Sequence, residues 1–248
     1  MFETRVHAYL RALHGARAER TGPFLAAFDA HDANPFRNYA IPDDDAQPTT
    51  TEVEDLIAAL ISRDRLPRLE YLPGTCPAVE PTPVHAGFVP ERRLPVMICP
   101  PAEMAPRPNP EDIEVLLAET AGQLRDAARA QNDAYGQFST DDNDVARLRG
   151  TVESGGLVAL ARQITTRIIV GAGLCAPPHN GVSELAAIGV REPFRRRGVA
   201  TALTVFLTQQ CPSAGITTPF LTPAGDAEER IYRSAGYRTV TEMLHISR

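Results

Sequence analysis

The most informative stretch of this chain is Val190-Arg-Glu-Pro-Phe-Arg-Arg-Arg-Gly-Val-Ala200. The residues before it, from Glu184 to Val190, form a short apolar run, which predicts a buried strand. After it, apolar residues recur at helical spacing up to about Gln210. The stretch is therefore predicted to form the turn between a strand and a helix.

This turn has the features of a phosphate-binding site. Gly198 and the small Ala200 allow the backbone to approach a ligand, and the first amides of the new helix have no partner within it. The positive end of the helix dipole favours an anion at the same place. Arg195, Arg196 and Arg197 add fixed charge and forked donors that suit a pyrophosphate. The alternative is a solvated basic turn that binds nothing.

Two common phosphate loops are excluded. The Gly-x-x-x-x-Gly-Lys-Ser/Thr loop needs a lysine, and all 25 basic side chains of this chain are arginine. The dinucleotide fingerprint needs three spaced glycines, which Gly189 and Gly198 do not supply. The turn is therefore neither of these two phosphate loops.

The stretch resembles the acetyl-CoA loop of the GNAT N-acetyltransferases, whose core is Arg/Gln-x-x-Gly-x-Gly/Ala. Here the core reads Arg195-Arg-Arg-Gly-Val-Ala200, with the family's valine at Val190 and its proline at Pro193. The strand, the valine, the proline, the arginines, the Gly-x-Ala and the amphipathic helix follow one another in the family's order. The combination is more specific than the six-residue core alone.

A second element further along the chain also resembles the family. Residues 219–223 are predicted to form a strand, and residues 227–235 a helix that ends at Gly236, since glycine is the usual left-handed helix terminator. A last strand is predicted from Tyr237 to Ile246. Within this element, Ile231-Tyr232-x-x-x-Gly-Tyr237 resembles the family's Leu-Tyr-x-x-x-Gly-Phe pattern.

One position departs from the family. The family often has an Asn seven residues before the tyrosine that matches Tyr232, and this chain has Gly225 at that position. A contact to the arm of the cofactor is therefore in doubt, and the neighbouring Asp226 is a candidate substitute.

The resemblance implies a fold of the α/β (α+β) class, the GNAT acyl-CoA N-acyltransferase fold, with a mixed central sheet flanked by helices. It implies acetyl-CoA as cosubstrate and no metal. The residues that it assigns to acetyl-CoA lie at a strand edge and in the turn: Ile188, Gly189, Val190, Arg195, Arg196, Arg197, Gly198, Val199, Ala200 and Thr201.

The resemblance also suggests two catalytic residues. Tyr232 matches the family's proton donor to the departing thiolate, and its alternative role is an ordinary half-buried aromatic of an amphipathic helix. Glu184 is a candidate general base, acting directly or through water, because burial beside apolar neighbours raises the pKa of a carboxyl group. The alternative for Glu184 is a solvated carboxylate at a strand edge. Further candidate acids are Asp141, Asp142 and Glu153.

The chain is predicted to contain an N-terminal α/β domain at 1–104, a proline-rich linker at 105–110 and the GNAT domain at 111–248. The linker follows from the run of prolines between Pro100 and Pro110, since proline interrupts helix and sheet. In the N-terminal part, one helix is predicted over residues 2–20, and another begins at the capping-box pattern Thr51-x-x-Glu54.

The N-terminal part carries a faint echo of the second half. A strand, a helix-sized gap, a Gly-aromatic pair and another strand occur in the same order in both, at 69–73, 86–88 and 94–98 and at 220–223, 235–237 and 239–246. Pro83 stands in the place of Tyr232, and no Arg-x-x-Gly-x-Gly/Ala precedes it. The echo predicts a degenerate GNAT-like half that binds no cofactor. Two unrelated strand–helix–strand units that look alike are the alternative.

Composition limits the class of protein. The 248 residues are 43% hydrophobic and 23% charged, which is enough apolar material for a core. A net charge of −6 argues against a general nucleic-acid binder. The four cysteines are scattered and are expected to be reduced, and the six histidines show no metal-ligand spacing. No apolar run is long enough to span a membrane, so a cytoplasmic protein is expected.

The sequence thus predicts an N-acetyltransferase that moves the acetyl group of acetyl-CoA to a primary amine by direct attack. The amine is a small molecule or a peptide of unknown identity, no nucleic acid or membrane is expected as partner, and a homodimer stays open. One alternative is a non-catalytic acyl-CoA-binding regulatory or interaction module. Another is an arginine-rich surface that contacts an acidic protein or RNA.

Overall fold

The computed structural model describes residues 2–15, 18–29, 33–104, 106–137 and 139–248. They form two compact units, Met1–Val96 with Thr239–Arg248, and Met97–Arg238. The last ten residues thus group with the beginning of the chain, whereas the sequence analysis placed them at the end of 111–248. As domains, 1–104, 105–110 and 111–248 stay a prediction, and Ala105 at the start of the linker lies outside the described residues.

Helices and strands alternate along the chain. The helices are α1 (Phe2–His14), α2 (Thr50–Ile61), α3 (Pro81–His85), α4 (Ala121–Ala134), α5 (Asp142–Glu153), α6 (Val199–Gln210) and α7 (Asp226–Ala235). The strands are β1 (Ala18–Thr21), β2 (Phe24–Ala27), β3 (Ala40–Pro42), β4 (Arg68–Tyr71), β5 (Val89–Ile98), β6 (Ile113–Leu117), β7 (Leu157–Gln163), β8 (Ile169–Cys175), β9 (Val182–Val190), β10 (Thr218–Leu221) and β11 (Arg238–Ser247).

The unit Met97–Arg238 is built on a mixed sheet. Strands β6, β7, β8 and β9 pair with one another in antiparallel fashion. Strand β10 then pairs in parallel with β9, because helix α6 connects the two strands. On its other side, β10 pairs antiparallel with Met97 and Ile98 at the end of β5. The expected α+β architecture with a mixed central sheet is confirmed.

Both faces of this sheet are covered, as the alternation along β7 shows. Val158 and Leu160 belong to a buried cluster with residues of α4 and α5. Ala159 and Ala161 point to the other face and belong to a cluster with residues of α6. The sheet is therefore a layer between helices, and α4 and α6 lie on opposite faces of β9 and its neighbours.

The unit formed by Met1–Val96 and Thr239–Arg248 repeats the strand directions of the mixed sheet in Met97–Arg238. Strands β1, β2 and β3 are antiparallel neighbours, β3 pairs in parallel with β4, and β4 pairs antiparallel with β11. In each half, moreover, a glycine of positive φ follows the last helix: Gly87 (φ 91°) after α3 and Gly236 (φ 105°) after α7. These topological parallels agree with the echo seen in the sequence.

Two details of the N-terminal part were predicted wrongly. Helix α1 ends at His14, not at residue 20, because Gly15 takes a positive φ of 51°; Ala16 and Arg17 lie outside the described residues. The capping box is Thr49 with Glu52, two residues before the predicted one, and it satisfies the first amides of α2. The helix-sized gap after residue 73 does contain a helix, the five-residue α3, which follows a 3-10 turn.

The tight turn between α5 and β7 gives a test of this packing. A Cβ atom on Gly156 would lie 2.6 Å from the carbonyl oxygen of Cys175 and 2.9 Å from that of Thr151. Because backbone atoms cannot move aside easily, Gly156→Ala should lower the free energy of unfolding by about 1–3 kcal/mol. Urea denaturation followed by circular dichroism measures the change.

Gly150 is the matched control. It lies inside α5, and a Cβ atom there would meet nothing within 4 Å. Gly150→Ala should therefore raise the free energy of unfolding by about 0.5–1 kcal/mol, because alanine loses less entropy than glycine in a helix. Opposite signs for the two variants are expected, and a stabilised Gly156→Ala protein would contradict the described turn.

Candidate active site

The short strand β10 runs beside only the beginning of β9. Their parallel pairing joins Thr218–Phe220 to Val182–Glu184, and β10 ends at Leu221. Strand β9 continues to Val190. The edge of β9 beyond Glu184 is therefore left without β10 as a partner, and a gap opens between the two strands.

A β-bulge lies in the same part of β9. Toward β8, Gly189 pairs with Ala172 and Ala186 pairs with Leu174, so that two residues of β9 stand opposite Gly173 alone. Ala187, one of the two, takes a positive φ of 51°. A bulge bends its strand and changes the direction of the side chains that follow. The bulge thereby turns Ile188 and the end of β9 toward the gap between β9 and β10.

Helix α4 packs closely against this bend. The side-chain amide of Gln131 donates a hydrogen bond to the carbonyl oxygen of Ala187 at 3.0 Å. A Cβ atom on Gly189 would lie 2.8 Å from the Cβ of Ala134, so only glycine allows this approach. The end of α4 thus holds the bulge in place.

The turn after β9 leads into α6 with open amides. Arg196 and Gly198 both take positive φ angles, 61° and 79°. Gly198 is the residue before the first turn of α6, and no side chain caps that turn. Among the described residues, the first amides of α6, from Val199 to Thr201, therefore have neither a partner within the helix nor a side-chain acceptor.

The three arginines of the turn have different surroundings. The guanidinium of Arg195 donates to the carbonyl oxygens of Val190 at 3.0 Å and Ala134 at 2.7 Å, and so ties the turn to β9 and α4. Arg196 lines the cavity described next. Arg197 stacks on the ring of Phe194 at 5.3 Å and lines a different cavity.

These elements enclose a cavity of about 660 Å³. Every residue predicted for the cofactor except Arg197 lines it, as does Tyr232. The lining residues come from α4, β9, the turn, α6 and α7: Ala134, Tyr135, Ile188, Gly189, Val190, Phe194, Arg195, Arg196, Gly198, Val199, Ala200, Thr201, Ala227, Glu228, Ile231 and Tyr232. We call this cavity the main cleft.

Tyr232 is held by α7 at one wall of the main cleft. Its ring contacts that of Tyr237 at 6.5 Å, and the Tyr237 hydroxyl shares a hydrogen bond of 2.7 Å with Thr208 of α6. Burial raises the pKa of Tyr232, and the nearby charge of Glu228 raises it further. The phenol therefore keeps its proton throughout the neutral and mildly alkaline range.

Glu184 lies near the beginning of β9 and does not line the main cleft. It is half-buried on the part of β9 that pairs with β10, and its carboxylate accepts a hydrogen bond from Thr222 at 3.4 Å. Its charge contributes to the raised pKa of Tyr232. The two predicted catalytic residues are therefore electrostatically coupled, although only Tyr232 faces the cavity.

The other acidic candidates lie elsewhere. Asp141 caps α5 by accepting the amide of Asp144, Asp142 pairs with Arg125 at 2.9 Å, and Glu153 ends α5. None of the three lines the main cleft, and neither does Asp226.

Two polar residues of the main cleft, Glu228 and Tyr135, were missed in the sequence analysis. Glu228 lies four residues before Tyr232 on α7, and residues four apart share one face of a helix. That spacing could have identified it. Tyr135, an exposed aromatic that follows α4, donates weakly to the carbonyl oxygen of Ile188 at 3.5 Å. No pattern in the sequence pairs residue 135 with β9.

The segment that contains the main cleft is similar to a known protein family. Residues 124–237 match the family model described as the acetyltransferase (GNAT) family. This segment is a GNAT acetyltransferase domain. The match of this segment to the family supports acyl transfer from an acyl-CoA in general. A comparison with curated protein sequences gives no match.

Solved structures show the same fold over nearly the whole chain. A GCN5-related N-acetyltransferase from Kribbella flavida is 21% identical, with a TM-score of 0.81 over 99% of this chain and 95% of that chain. One from Sphaerobacter thermophilus is 18% identical, with a TM-score of 0.69 over 91% and 76%. A tandem GNAT protein of the clavulanic acid biosynthesis pathway is 10% identical, with a TM-score of 0.62 over 91% and 78%. The predicted GNAT fold is confirmed.

Other features of the described residues bear on the chemistry. No group of three His, Cys, Asp or Glu side chains among them is arranged to hold a metal ion. The four cysteines are buried and unbridged. None of the described helices combines the length and the apolar character that a bilayer crossing requires.

A carboxylate placed at the start of α6 tests whether the open amides there bind an anion. Thr201 is the third residue of α6, where glutamate stabilises a helix. Thr201→Glu should therefore preserve the fold while its negative charge occupies the expected anion site. We expect the dissociation constant for acetyl-CoA to rise at least about tenfold in isothermal titration calorimetry.

Thr201→Gln is the control, because glutamine has the size of glutamate without its charge. It should bind acetyl-CoA more tightly than Thr201→Glu, with melting temperatures at or above that of the wild type for both. Equal affinity of the two variants would show that no anion binds at the start of α6.

Proposed function

We propose that this protein is an N-acetyltransferase that transfers the acetyl group of acetyl-CoA to a primary amine of a small molecule or peptide. One observation carries the proposal: uncapped helix amides, an unpaired strand edge and a protonated tyrosine face a single cleft. The GNAT domain that contains them supplies the reaction class.

The cosubstrate is proposed to bind along β9 and the turn. The pyrophosphate accepts hydrogen bonds from the amides of Val199 to Thr201, and the guanidinium of Arg196 adds a positive charge. The amide-bearing pantetheine arm lies along the edge of β9 at Ile188 and Val190, as a peptide adds to a sheet edge. Backbone amides there also polarise the thioester carbonyl group as negative charge develops on it.

The acetyl group is proposed to pass directly to the amine. Within the described part of the chain, no cysteine or serine lines the main cleft, which favours attack without an acyl-enzyme. The amine nitrogen forms a bond to the carbonyl carbon, and the carbon–sulfur bond breaks. The Tyr232 hydroxyl donates its proton to the departing thiolate, and Glu184 accepts the proton of the amine through a water molecule.

Glu228 is proposed to contact the acceptor. Its exposed carboxylate lies at the cleft beside Tyr232, so a protonated amine gains a favourable charge interaction there. The net charge of −6 is compatible with a cationic acceptor. The acceptor itself is best sought by thiol release from acetyl-CoA with aminoglycosides, polyamines, amino acids and peptide N-termini.

The N-terminal part is proposed to be a degenerate GNAT-like half that binds no cofactor. Its strands β3, β4 and β11 repeat the directions of β9, β10 and the end of β5. It has no counterpart of the Arg-x-x-Gly-x-Gly/Ala turn.

The proton donor gives the first test of this mechanism. Tyr232→Phe removes only the hydroxyl, so kcat should fall about 10²-fold, whereas the affinity for CoA should change little. Because the pKa of Tyr232 is raised, its proton is retained as pH rises, and the wild-type rate should not fall on its account below about pH 10. Steady-state thiol release across pH measures both.

Tyr135→Phe is the matched control, since it removes the other phenol of the cleft and should lower kcat far less. An unchanged kcat in Tyr232→Phe would remove this residue from the mechanism. Tight binding of acetyl-CoA without turnover on any amine would support instead a non-catalytic acyl-CoA-binding module.

Kinetic measurements distinguish the proposed roles of Glu184 and Glu228. Glu184→Gln should lower kcat at least about tenfold, because the proton acceptor is lost. Glu228→Gln should mainly raise KM for a cationic amine, because only a binding charge is lost. The reverse pattern, with kcat lost in Glu228→Gln and KM raised in Glu184→Gln, would transfer the role of base to Glu228.

A further inference from the structure

A second cavity lies beside the main cleft. Its volume is about 420 Å³, and we call it the arginine groove. The irregular segment before β6 contributes Arg107 and Asn109 to its lining, the turn and α6 contribute Arg197 and Thr201, and α7 contributes Ser234. The residues proposed above for catalysis, Tyr232 and Glu184, are not part of it.

The arginine groove and the main cleft meet at the start of α6. Gly198 and Thr201 line both cavities. The irregular segment reaches the turn closely there, since a Cβ atom on Gly198 would lie 3.4 Å from the ring of Pro110. A ligand whose diphosphate rests on the first amides of α6 therefore has the arginine groove next to that diphosphate.

The groove is positively charged in an acidic chain. Arg107 and Arg197 contribute two guanidinium groups, and within the described residues neither forms an ion pair with a carboxylate. Arg197 is held in position by its contact with the ring of Phe194 at 5.3 Å. Two guanidinium groups without a carboxylate partner at one cavity suit a phosphomonoester, which carries close to two negative charges near neutral pH.

From these contacts we infer that the arginine groove binds the 3′-phosphate at the adenosine end of coenzyme A. The inference rests on the proposed cosubstrate, whose diphosphate occupies the neighbouring turn. Arg107 and Arg197 pair with the 3′-phosphate, and Asn109 and Ser234 offer polar groups to the ribose. The irregular segment 106–110 thereby selects coenzyme A over nucleotides that lack this phosphate.

Calorimetric titration of the full chain with two ligands tests the inference. Coenzyme A and 3′-dephospho-coenzyme A differ only in the phosphate in question. The wild type should bind coenzyme A at least about tenfold more tightly, as expected for one charge-assisted contact. Arg107→Ala should remove most of this preference by weakening coenzyme A while leaving the dephospho form unchanged. Adenosine 3′,5′-bisphosphate should bind the wild type and compete with coenzyme A.

Arg149→Ala is the control for loss of charge, because Arg149 is an exposed residue of α5 that lines neither cavity. It should keep the wild-type preference. Equal affinity of the wild type for both ligands would overturn the inference while leaving acetyl transfer possible. Equal weakening of both ligands in Arg107→Ala would also overturn it. A strong preference in a protein that acetylates no amine would support the groove and reject the proposed enzyme.

Discussion

The separation of β9 from β10 is the constraint on which the site depends. Strand β10 pairs with only the beginning of β9, and the rest of β9 has a backbone edge without a β10 partner. An unpaired strand edge attracts another strand, so proteins normally cover or shorten it. Here the edge faces a cleft and is bent by a bulge at Ala187 and Ile188. A ligand with amide groups can complete it.

The helices on both faces of the sheet fix the same bend. On one face, α4 approaches Gly189 so closely that a single Cβ atom would collide with Ala134. On the other face, α6 begins at the turn and presents its first amides to the cleft. Arg195 joins the two arrangements, because its guanidinium bonds carbonyl oxygens at the ends of β9 and α4. The proposed anion site is thus preorganised by backbone contacts, and binding there costs little entropy of ordering.

The sequence predicted the helices and strands of the site better than the contacts between them. The strand before residue 190, α6, α7 and its end at Gly236 follow from local rules of periodicity and helix termination, and the structure has them at nearly the predicted bounds. The bulge could not be predicted, because an alanine at positive φ is held by the surrounding packing rather than by its own preference.

The hydrogen bond that Arg195 makes within the protein could not be predicted either. The motif predicts that Arg195 donates hydrogen bonds to a phosphate, whereas its bond to the carbonyl oxygen of Ala134 joins residues 61 positions apart in the chain. The grouping of the last strand with the first unit has the same origin, since β11 pairs with β4 over a long sequence separation. Local patterns carry no information about such contacts.

The two halves of the chain show why one helix start is open and the other closed. In the first unit, β3, α2 and β4 form the same parallel strand–helix–strand connection as β9, α6 and β10. The side chain of Thr49 caps α2, and the carboxylate of Glu52 accepts the amide of Thr49 at 2.8 Å, so the protein satisfies its own donors. Three aspartates, Asp43 to Asp45, precede that cap, where arginines precede α6. At α6, glycine replaces the cap and arginines replace the aspartates, which leaves the amides and the charge for an anion.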